Sequence, residues 1–327
     1  YYDLSKYSSM KVKRFDWYDV GTVDNYIKAK SIFKDSKVYS IPKVNGEFLY
    51  KINNKFIKLS SDKNFIKNRI NRVDELSNLV PPLNFTGKNL YSYDWVDGEV
   101  LYDYEDLEIW KRFLDFANKN LWKKIDVDNN FTEICKEFYY DKTMSRLDMF
   151  LDSRDDSFEK EHIVNTIKTN TIDKLLKNFD WDRICDGIPT KLFHGDFHLD
   201  HVVYNGTDNF YMLDWRQDFA GGNVGDVYYD LSKMYGGILM SYKLMKDSSN
   251  FSCYVDGEVV EYKYKSELIL NKFKPIYENW ITKNGYDLDK VKLITTLIFL
   301  NMAPLHEKEF GDLLFFKSKE MLQELND

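Results

Sequence analysis

The stretch that decides the fold is residues 191–233, KLFHGDFHLDHVVYNGTDNFYMLDWRQDFAGGNVGDVYYDLSK. An apolar lead-in reaches His194-Gly195-Asp196, and a short loop then leads into two runs of strand-forming residues at 202–204 and 210–213. The second run ends at Asp214, which the hairpin brings back beside the same loop. The sequence therefore predicts that the carboxylates of Asp196 and Asp214 meet at one site.

Two carboxylates that arrive from a loop and from a strand end suit phosphoryl transfer. One can orient and deprotonate an attacking hydroxyl, while the other holds the metal that neutralises charge on the transferring group. Taken alone, Asp196 could be a loop cap and Asp214 a turn residue. Their pairing in one stretch favours the catalytic interpretation of both.

Several motifs of this chain resemble those of the aminoglycoside phosphotransferase and choline kinase superfamily. HGD at 194–196 resembles the catalytic loop, LDW at 213–215 the metal-binding segment, and the G-D and D-L pairs within 225–231 the stretch that follows. Upstream, YDWVDGEVL at 93–101 resembles the hinge between the two lobes. The order of these motifs carries the resemblance, because each of them alone is a weak signal.

The resemblance implies the α+β, two-lobed fold of protein-kinase-like enzymes and an activity that uses ATP and Mg²⁺. Asp196 would be the catalytic base, and Asp214 would be a ligand of the Mg²⁺ that bridges the ATP phosphates. The product would be the phosphate ester of a small hydroxyl-bearing molecule, such as a sugar, a sugar-like compound or an amino alcohol.

Other residues near the two carboxylates have supporting roles by the same resemblance. His194 is expected to pack under the catalytic loop and donate a hydrogen bond. Asp226 and Asp230 are expected to organise the following loop and to cap its helix. Arg216 and Asp218 are polar candidates for contact with the acceptor.

The small lobe is predicted from the pattern between residues 37 and 96. Short strands at 37–44, 47–52 and 55–59 are joined by the turns Asn45-Gly46 and Asn53-Asn54. A helix at 62–79 and a strand at 89–95 follow. This order of elements is what a lobe that covers a nucleotide needs.

Within this lobe, Lys58 resembles the strand lysine that contacts the α- and β-phosphates of ATP. Its acidic partner would come from the next helix, where Glu75 and Asp74 are the available residues. The residues expected to meet the adenine through their backbone are Tyr93, Asp94 and Trp95.

The large lobe is predicted to span residues 97–327, with the catalytic loop and the acceptor site. Helical spacing of apolar residues begins at Leu107 and continues at 131–151 and 163–179. After the 191–215 region, helices are predicted to resume at 230–245 and to run to the end of the chain.

Position 201 departs from the superfamily pattern H-x-D-x-x-x-x-N. The pattern places a second, asparagine metal ligand there, and this chain has His201. Imidazole binds Mg²⁺ less readily than an amide oxygen does, and the neighbouring Asp200 could take the metal role. The same departure supports an alternative: a catalytically silent, nucleotide-binding module that regulates a fused neighbour.

The histidines offer a further alternative, because three of the five in the chain fall within eight residues. His194, His198 and His201 could bind Zn²⁺ or Fe together with Asp196, as in a metallohydrolase. Gly195 and the β-branched residues at 202–203 disfavour the helix on which such residues would share a face.

The first 36 residues form a separate segment. FDWYDVGT at 15–22, followed by Tyr26, resembles the closing segment of sugar nucleotidyltransferases. This resemblance implies that 1–36 is the remnant of such a domain and that the chain is the kinase part of a bifunctional protein. Fusions of that kind resemble enzymes that make precursors of bacterial capsule or other surface polysaccharides.

Composition excludes some classes of protein. The formal net charge of −7 argues against a nucleic-acid-binding protein, since phosphate contacts need an excess of Lys and Arg. No apolar run is long enough to span a membrane, and we expect no leader or lipid anchor. Three widely spaced cysteines match no zinc or disulfide pattern and suggest the reducing cytoplasm.

Overall fold

The computed structural model describes residues 38–41, 46–127, 130–207 and 209–326. The predicted N-terminal segment 1–36, with its resemblance to nucleotidyltransferases, lies outside the described residues. The described chain forms a lobe built on an antiparallel sheet and a larger lobe that is mostly helical. The α+β, two-lobed fold predicted from the sequence is therefore confirmed.

The small lobe is a five-stranded antiparallel sheet with one helix, α1 (Lys63–Leu76). Its strand order is β1-β2-β3-β5-β4. The strands are β1 (Val38–Ile41), β2 (Glu47–Ile52), β3 (Lys55–Ser60), β4 (Leu83–Thr86) and β5 (Leu90–Asp94). The predicted elements of the lobe are all present, whereas the edge strand β4 was not predicted.

Helix α1 is built to face the large lobe. Asp62 caps its N-terminus by accepting hydrogen bonds from two backbone amides of the first turn. Its buried face carries Ile66, Arg69, Arg72 and Leu76, which lie three or four residues apart and so share one side of the helix. Two guanidinium groups are thus buried between the lobes, where they require acceptors.

The large lobe contains nine helices among the residues described. They are α2 (Leu107–Asn120), α3 (Phe131–Lys136), α4 (Lys142–Leu151), α5 (Ile172–Lys177), α6 (Trp181–Cys185), α7 (Val227–Leu239), α8 (Leu268–Lys283), α9 (Leu288–Met302) and α10 (Lys308–Asn326). A π-helical turn, Glu137–Asp141, joins α3 to α4 without a break. Helices α7 and α9 are buried along most of their length and form the centre of the lobe.

Short strands of the large lobe hold the loops around these helices. They are β6 (Glu99–Val100), β7 (His162–Val164), β8 (Ile167–Thr169), β9 (Pro189–Thr190), β10 (Val202–Tyr204), β11 (Phe210–Met212), β12 (Gly225–Asp226), β13 (Phe251–Asp256) and β14 (Val259–Tyr264). The predicted hairpin is confirmed as β10 and β11, which pair antiparallel. Strand β6 pairs with the other edge of β10, so four residues, 95–98, connect the two sheets.

Two predicted helical regions are wrong. Residues 162–169 form the hairpin of β7 and β8, turning at Asn165, whose φ is 53°. Residues 251–264 form the hairpin of β13 and β14, so helices do not continue without interruption to the end of the chain. β14 pairs in parallel with β7, which creates a four-stranded sheet in the order β13-β14-β7-β8.

The described helices include none with both the length and the apolar character that crossing a bilayer requires.

Gly98 is required by the connection between the lobes. Its φ is +130°, and a Cβ atom there would lie 2.3 Å from the carbonyl oxygen of Tyr204 on β10. Gly206 is a matched control, because its φ is +83° while nothing described lies within 4 Å of its Cβ position. Both sites disfavour L side chains, but only Gly98 adds a backbone clash.

We expect Gly98→Ala to lower the free energy of unfolding by about 2 kcal/mol or more beyond the effect of Gly206→Ala. Urea denaturation of both variants, followed by circular dichroism, measures the difference. Equal losses in the two variants would contradict the close packing of the connection against β10.

Candidate active site

The catalytic loop, His194–Asp196, is held in place from below by α7. The buried carboxylate of Asp230 accepts hydrogen bonds from the backbone amides of His194 (2.7 Å) and Gly195 (2.6 Å). The indole Nε1 of Trp122 donates to the same carboxylate at 2.9 Å. Burial raises the pKa of Asp230 to about 6, although these three donors oppose the shift.

Asp196 faces the cleft, with 35% of its side chain exposed. One carboxylate oxygen lies 2.7 Å from Nζ of Lys233, and the other lies 3.4 Å from Nδ1 of His201. Burial raises the pKa of this carboxyl, but the Lys233 ammonium and the neighbouring imidazoles outweigh burial and hold the pKa well below its usual value. The group is therefore an ionised carboxylate at neutral pH.

The three clustered histidines have different surroundings. His194 is fully buried, and its ring accepts a hydrogen bond from the amide of Asp196 (3.2 Å) through Nδ1, so Nε2 donates to the carbonyl of Leu213 (2.9 Å). His198 and His201 stack with ring centroids 3.9 Å apart. Burial lowers the pKa of His194 to about 3 and that of His201 to about 4, and it also lowers the pKa of His198, so all three are neutral.

Asp214 follows β11 and lies where two cations from the small lobe converge. Its φ of +57° is a left-handed conformation that an aspartate tolerates better than most residues. Nζ of Lys58 on β3 lies 2.6 Å from Oδ1, and Arg69 on α1 donates to the same oxygen. The other oxygen faces Nε2 of His201 at 4.0 Å, which links the surroundings of Asp214 to those of Asp196.

The prediction that the acidic partner of Lys58 lies on α1 is wrong. Lys58 pairs with Glu47 on the neighbouring strand β2 at 3.1 Å, in addition to Asp214. Glu75 instead contacts Arg72 at 3.6 Å and accepts a hydrogen bond from Asn223. The reason is the helical phase of α1, which directs arginines, and not Glu75, toward the cleft.

A cavity of about 900 Å³ lies between the lobes. Its walls include Asp196, Asp214 and Lys58, so the two carboxylates and the strand lysine converge on one space. On the small-lobe side the cavity is lined by the rings of Phe56, Tyr91 and Tyr93. A cavity lined by both aromatic rings and charged groups suits a nucleotide, with its base and its phosphates.

The three hinge residues are placed differently from one another. The buried Tyr93 lines the cavity, whereas the Asp94 side chain is exposed and accepts a hydrogen bond from Asn84 at 3.1 Å. Trp95 stacks on Phe56 with a centroid distance of 5.1 Å, and its backbone amide donates to the carbonyl of Asn54. Only Tyr93 of the three lies on the cavity wall.

Among the described residues, one group could hold a metal ion through three side chains: Asp196, His198 and His201. Their ligand atoms all lie within 4.8 Å of one another. His194 is not part of the group, since both its ring nitrogens are engaged by the backbone. Asp200 lines the same cavity but stands apart from the group, with Lys246 at 3.8 Å.

Other residues of the prediction support the loop or line a second cavity. Asp226 caps α7 by accepting from the amide of Tyr228, and it also accepts from Ile188. Arg216 lines a second cavity of about 430 Å³, which also borders Asp196. The carbonyl of Asp218 accepts from Nε of Arg216 at 2.8 Å, while the Asp218 side chain turns toward the amide of Gly221.

Sequence reasoning missed three cations that organise the site: Lys233, Arg72 and Arg69, the last of which pairs with Asp214. Lys233 lies three residues after Asp230 on α7, so one face of that helix holds both the backbone and the side chain of the catalytic loop. Arg72 donates to the carbonyls of Arg216 and Lys191 as well as to that of Phe193. The D-x-x-K spacing places Asp230 and Lys233 on one face of a helix, so the sequence could have identified Lys233. No sequence signal showed that the arginines of α1 face the cleft.

Comparison with known proteins finds similarity among solved structures. No protein-family model and no curated protein matches the chain. The matching structures are phosphotransferases that act on small molecules. One is the streptomycin–ATP complex of the aminoglycoside phosphotransferase APH(2")-IIa, with 12% identity and a TM-score of 0.48 over 92% of this chain and 97% of that chain.

Two further structures have similar scores. Choline kinase from Cryptosporidium parvum Iowa II is 10% identical, with a TM-score of 0.47 over 93% of this chain and 96% of that chain. Macrolide 2'-phosphotransferase type I is 11% identical, with a TM-score of 0.45 over 93% and 98%. Aminoglycoside phosphotransferases and choline kinases are the two groups of enzymes that the sequence motifs resemble.

The hydrogen bonds of Asp230 can be tested by Asp230→Asn. An asparagine keeps the shape but loses the charge, and its amide nitrogen faces one or two of the three donors in place of an acceptor, so we expect the free energy of unfolding to fall by about 2–4 kcal/mol. Asp148→Asn, an exposed change on α4, is the control and should stay within about 0.5 kcal/mol of the parent protein. Thermal and urea unfolding measure both; a neutral Asp230→Asn would show that the carboxylate does not hold the loop.

Proposed function

We propose that the chain is an ATP- and Mg²⁺-dependent kinase that phosphorylates a hydroxyl group of a small molecule. The observation that carries the proposal is the cavity between the lobes, whose lining includes Asp196, Asp214 and Lys58 together with the rings of Phe56, Tyr91 and Tyr93. A phosphotransferase needs a base, a metal-binding carboxylate and a phosphate-binding cation around one nucleotide site. This chain offers each of them.

In the proposed reaction Asp196 accepts the proton of the acceptor hydroxyl. The hydroxyl oxygen bonds to the γ-phosphorus of ATP while the bond from that phosphorus to the β,γ-bridging oxygen breaks, and ADP leaves with the electron pair. The products are the phosphate ester, ADP and one proton. An ionised Asp196 is the form required at the start, and the low pKa given by Lys233 supplies it.

Lys233 has a positioning role in this mechanism. Its ammonium holds one oxygen of Asp196 at 2.7 Å, which leaves the second oxygen for the acceptor hydroxyl. Lys58 and Arg69 provide positive charge at the Asp214 end, where the phosphates of a nucleotide whose base lies against Tyr93 would reach. The proposal therefore gives each cation a separate task.

The residues present fit a hard divalent cation. The carboxylate of Asp214 lines the cavity and provides the oxygen ligand that Mg²⁺ prefers. When bound there, Mg²⁺ would neutralise charge on the nucleotide phosphates. His201 stands at the edge of this site as a neutral imidazole, and Asp200 is turned toward Lys246.

The acceptor is proposed to be a sugar, a sugar-like compound or an amino alcohol. The resemblance of residues 15–22 to the end of sugar nucleotidyltransferases supports a role in making precursors of bacterial surface polysaccharides, with a nucleotidyltransferase fused to the kinase. In that arrangement the phosphorylated product would be the substrate of the fused neighbour.

Asp196→Asn tests the base directly. We expect turnover, measured as ADP release with a panel of sugars, polyols and amino alcohols, to fall by about 10²–10⁴-fold, because the amide cannot accept the proton. Binding of ATP with Mg²⁺, measured by calorimetry, should be retained. Asp148→Asn serves again as the exposed control and should leave turnover unchanged.

Two results would contradict the kinase. The first is a parent protein that binds ATP with Mg²⁺ yet releases ADP only at the background rate with every compound. This result would favour the alternative of a silent regulatory module, for which His201 is the motive. The second is a parent protein that does not bind ATP at all, which would also contradict the proposed nucleotide site.

A second candidate function is supported by the group of Asp196, His198 and His201. Two neutral imidazoles and one carboxylate are the ligands of many catalytic Zn²⁺ and Fe sites, as in metallohydrolases. Metal analysis of the purified protein, with His198→Gln as the paired variant, separates the two functions. The kinase predicts no stoichiometric Zn or Fe in either protein, whereas the metallohydrolase predicts about one ion in the parent and a loss of at least tenfold in affinity in the variant.

A further inference from the structure

The second cavity adjoins the larger one at Asp196 and Lys233, and residues of both lobes, such as Arg69 and Arg216, line it. Its volume is about 430 Å³, which is enough for a small metabolite. Asp196 and Lys233 line both this cavity and the larger one between the lobes. The proposed base therefore stands at the boundary between the two spaces, as an acceptor site adjoining a nucleotide site requires.

The charge of this second cavity is strongly positive. Five cationic side chains line it, against the two carboxylates of Glu47 and Asp196. The cations are Arg69, Lys142, Arg146, Arg216 and Lys233. Such a concentration is unexpected in a protein with a net charge of −7, because chance would place acidic groups there more often.

Three of these cations have no carboxylate within 4 Å in the described part of the chain: Lys142, Arg146 and Arg216. By contrast, Lys233 is paired with Asp196, and Arg69 with Asp214. Nζ of Lys142 lies 4.2 Å from the centre of the Phe138 ring, and the guanidinium of Arg216 lies 5.2 Å from the same centre. One aromatic ring thus holds two cations at the cavity wall.

Their mutual repulsion is large. Burial lowers the pKa of Lys142 well below its usual value, and the charges of Arg216, Lys233 and Arg146 lower it further. A protein gains no stability by collecting like charges in a half-buried space. An anion bound in the cavity would offset both the burial and the repulsion.

The backbone around Lys142 is also unusual. The π-helical turn Glu137–Asp141 directly precedes it and carries Phe138 and Tyr139 into the cavity wall. Single π-turns inside a helix are often found at functional sites, where they direct side chains that a regular helix would place elsewhere. Here the turn sets the positions of the ring and of the lysine that lies against it.

A polar group on the far wall lacks a donor. Asn301 on α9 lines the cavity, and its Nδ2 donates to Thr143 Oγ1 (2.8 Å) and to the carbonyl of Leu297 (2.7 Å). Its Oδ1 is buried and accepts no hydrogen bond from the described residues. A ligand hydroxyl would provide the missing donor. The remaining wall on this side is apolar, formed by α9 residues such as Ile294 and Ile298.

The nucleotide phosphates do not account for these cations. Lys142, Arg146 and Arg216 line the second cavity alone, whereas the cavity between the lobes has its own cations in Lys58, Lys243 and Lys246. The two sets line different cavities, which meet at Asp196 and Lys233.

We propose that the second cavity is the acceptor site and that the acceptor is an anion, a hydroxyl compound that bears a carboxylate or a phosphate. The cluster of Lys142, Arg146 and Arg216 binds its oxyanion, and a separate hydroxyl of the same molecule reaches Asp196. This inference rests on the proposed kinase function and names its substrate class. The oxyanion takes no part in the transfer, which proceeds by the proton and bond changes given above.

A panel that varies only in charge tests the inference. Glucose, glucosamine, glucuronate and glucose 6-phosphate share one skeleton and are neutral, cationic, carboxylate-bearing and phosphate-bearing; glycerol, serinol, glycerate and glycerol 3-phosphate repeat the series on three carbons. With ATP and Mg²⁺, we expect kcat/KM for at least one anionic member to exceed that of its neutral and cationic counterparts about tenfold to hundredfold. The two anionic arms distinguish carboxylate from phosphate.

Lys142→Met tests the site. We expect KM for the preferred anion to rise about tenfold to hundredfold while the affinity for ATP stays the same. The variant should also unfold at a higher temperature, because it removes an unpaired, half-buried ammonium. Arg146→Gln is a second, less buried variant with the same expected direction in KM, and Lys136→Met, an exposed change on α3, is the control.

The outcomes separate the inference from the kinase proposal. ADP release that is best with a neutral or cationic member and unaffected by Lys142→Met would overturn the anionic site and leave the kinase intact. If Lys142→Met weakens ATP binding by the same factor as it raises KM for the anion, the cluster belongs to the nucleotide site. This result would also overturn the anionic acceptor site. If no compound gives ADP, the affinities for glucuronate, glucose 6-phosphate and glucose are measured by calorimetric titration. Tighter binding of the anions than of glucose, lost in Lys142→Met, supports the anionic site. Equal affinity for all three compounds rejects it.

Discussion

The arrangement of the site depends on one buried carboxylate, that of Asp230, which accepts three hydrogen bonds. Two of the donors are consecutive backbone amides of the catalytic loop, and the third is the indole of Trp122. Gly195 permits this approach, since its φ is +82° and a Cβ there would lie 2.4 Å from the Arg216 side chain. With the loop held this way, Lys233 one turn later reaches the side chain of Asp196. Helix α7 thereby fixes the position of the Asp196 backbone and side chain together.

Most of the fold could be predicted where the signals are local. The pairing of β2 with β3 across the Asn53-Asn54 turn and the hairpin at 202–212 each depend on neighbouring residues, and both predictions are confirmed. Asn45 of the predicted Asn-Gly turn lies outside the described residues. The hairpin at 251–264 was missed although its two-residue turn, which starts with Gly257, is a local signal of the same kind. The error at 162–169 has another cause. Ile163, Val164 and Ile167 fit helical spacing as well as a strand, and the choice is made by the pairing of β7 with β14, almost a hundred residues away.

The candidate site likewise contains residues that the sequence could identify and residues that it could not. Asp196 and Asp214 could be found because they lie in one short segment with a recognisable order. The cations around them come from α1, α4 and α7 and from the segment after Asp214, and a lysine in a cavity looks like a surface lysine in the sequence. The partner of Lys58 was misjudged for a similar reason, because the phase of α1 against the cleft is set by packing between the lobes.

The hydrogen bonds of Arg72 restrict how the two lobes can move relative to each other. Its guanidinium is 2% exposed and donates to three backbone carbonyls on both sides of the catalytic loop. Swinging the whole small lobe outward would pull this charge away from its three backbone acceptors, at a cost of several kcal/mol. Of the contacts described for Arg72, the one with Glu75 would move with it, because both residues lie on α1. Lys58 on β3 adds a second link, since its ion pair with Asp214 joins the central strand of the sheet to the large lobe. The small lobe is thus fastened to the large lobe through both its helix and its sheet.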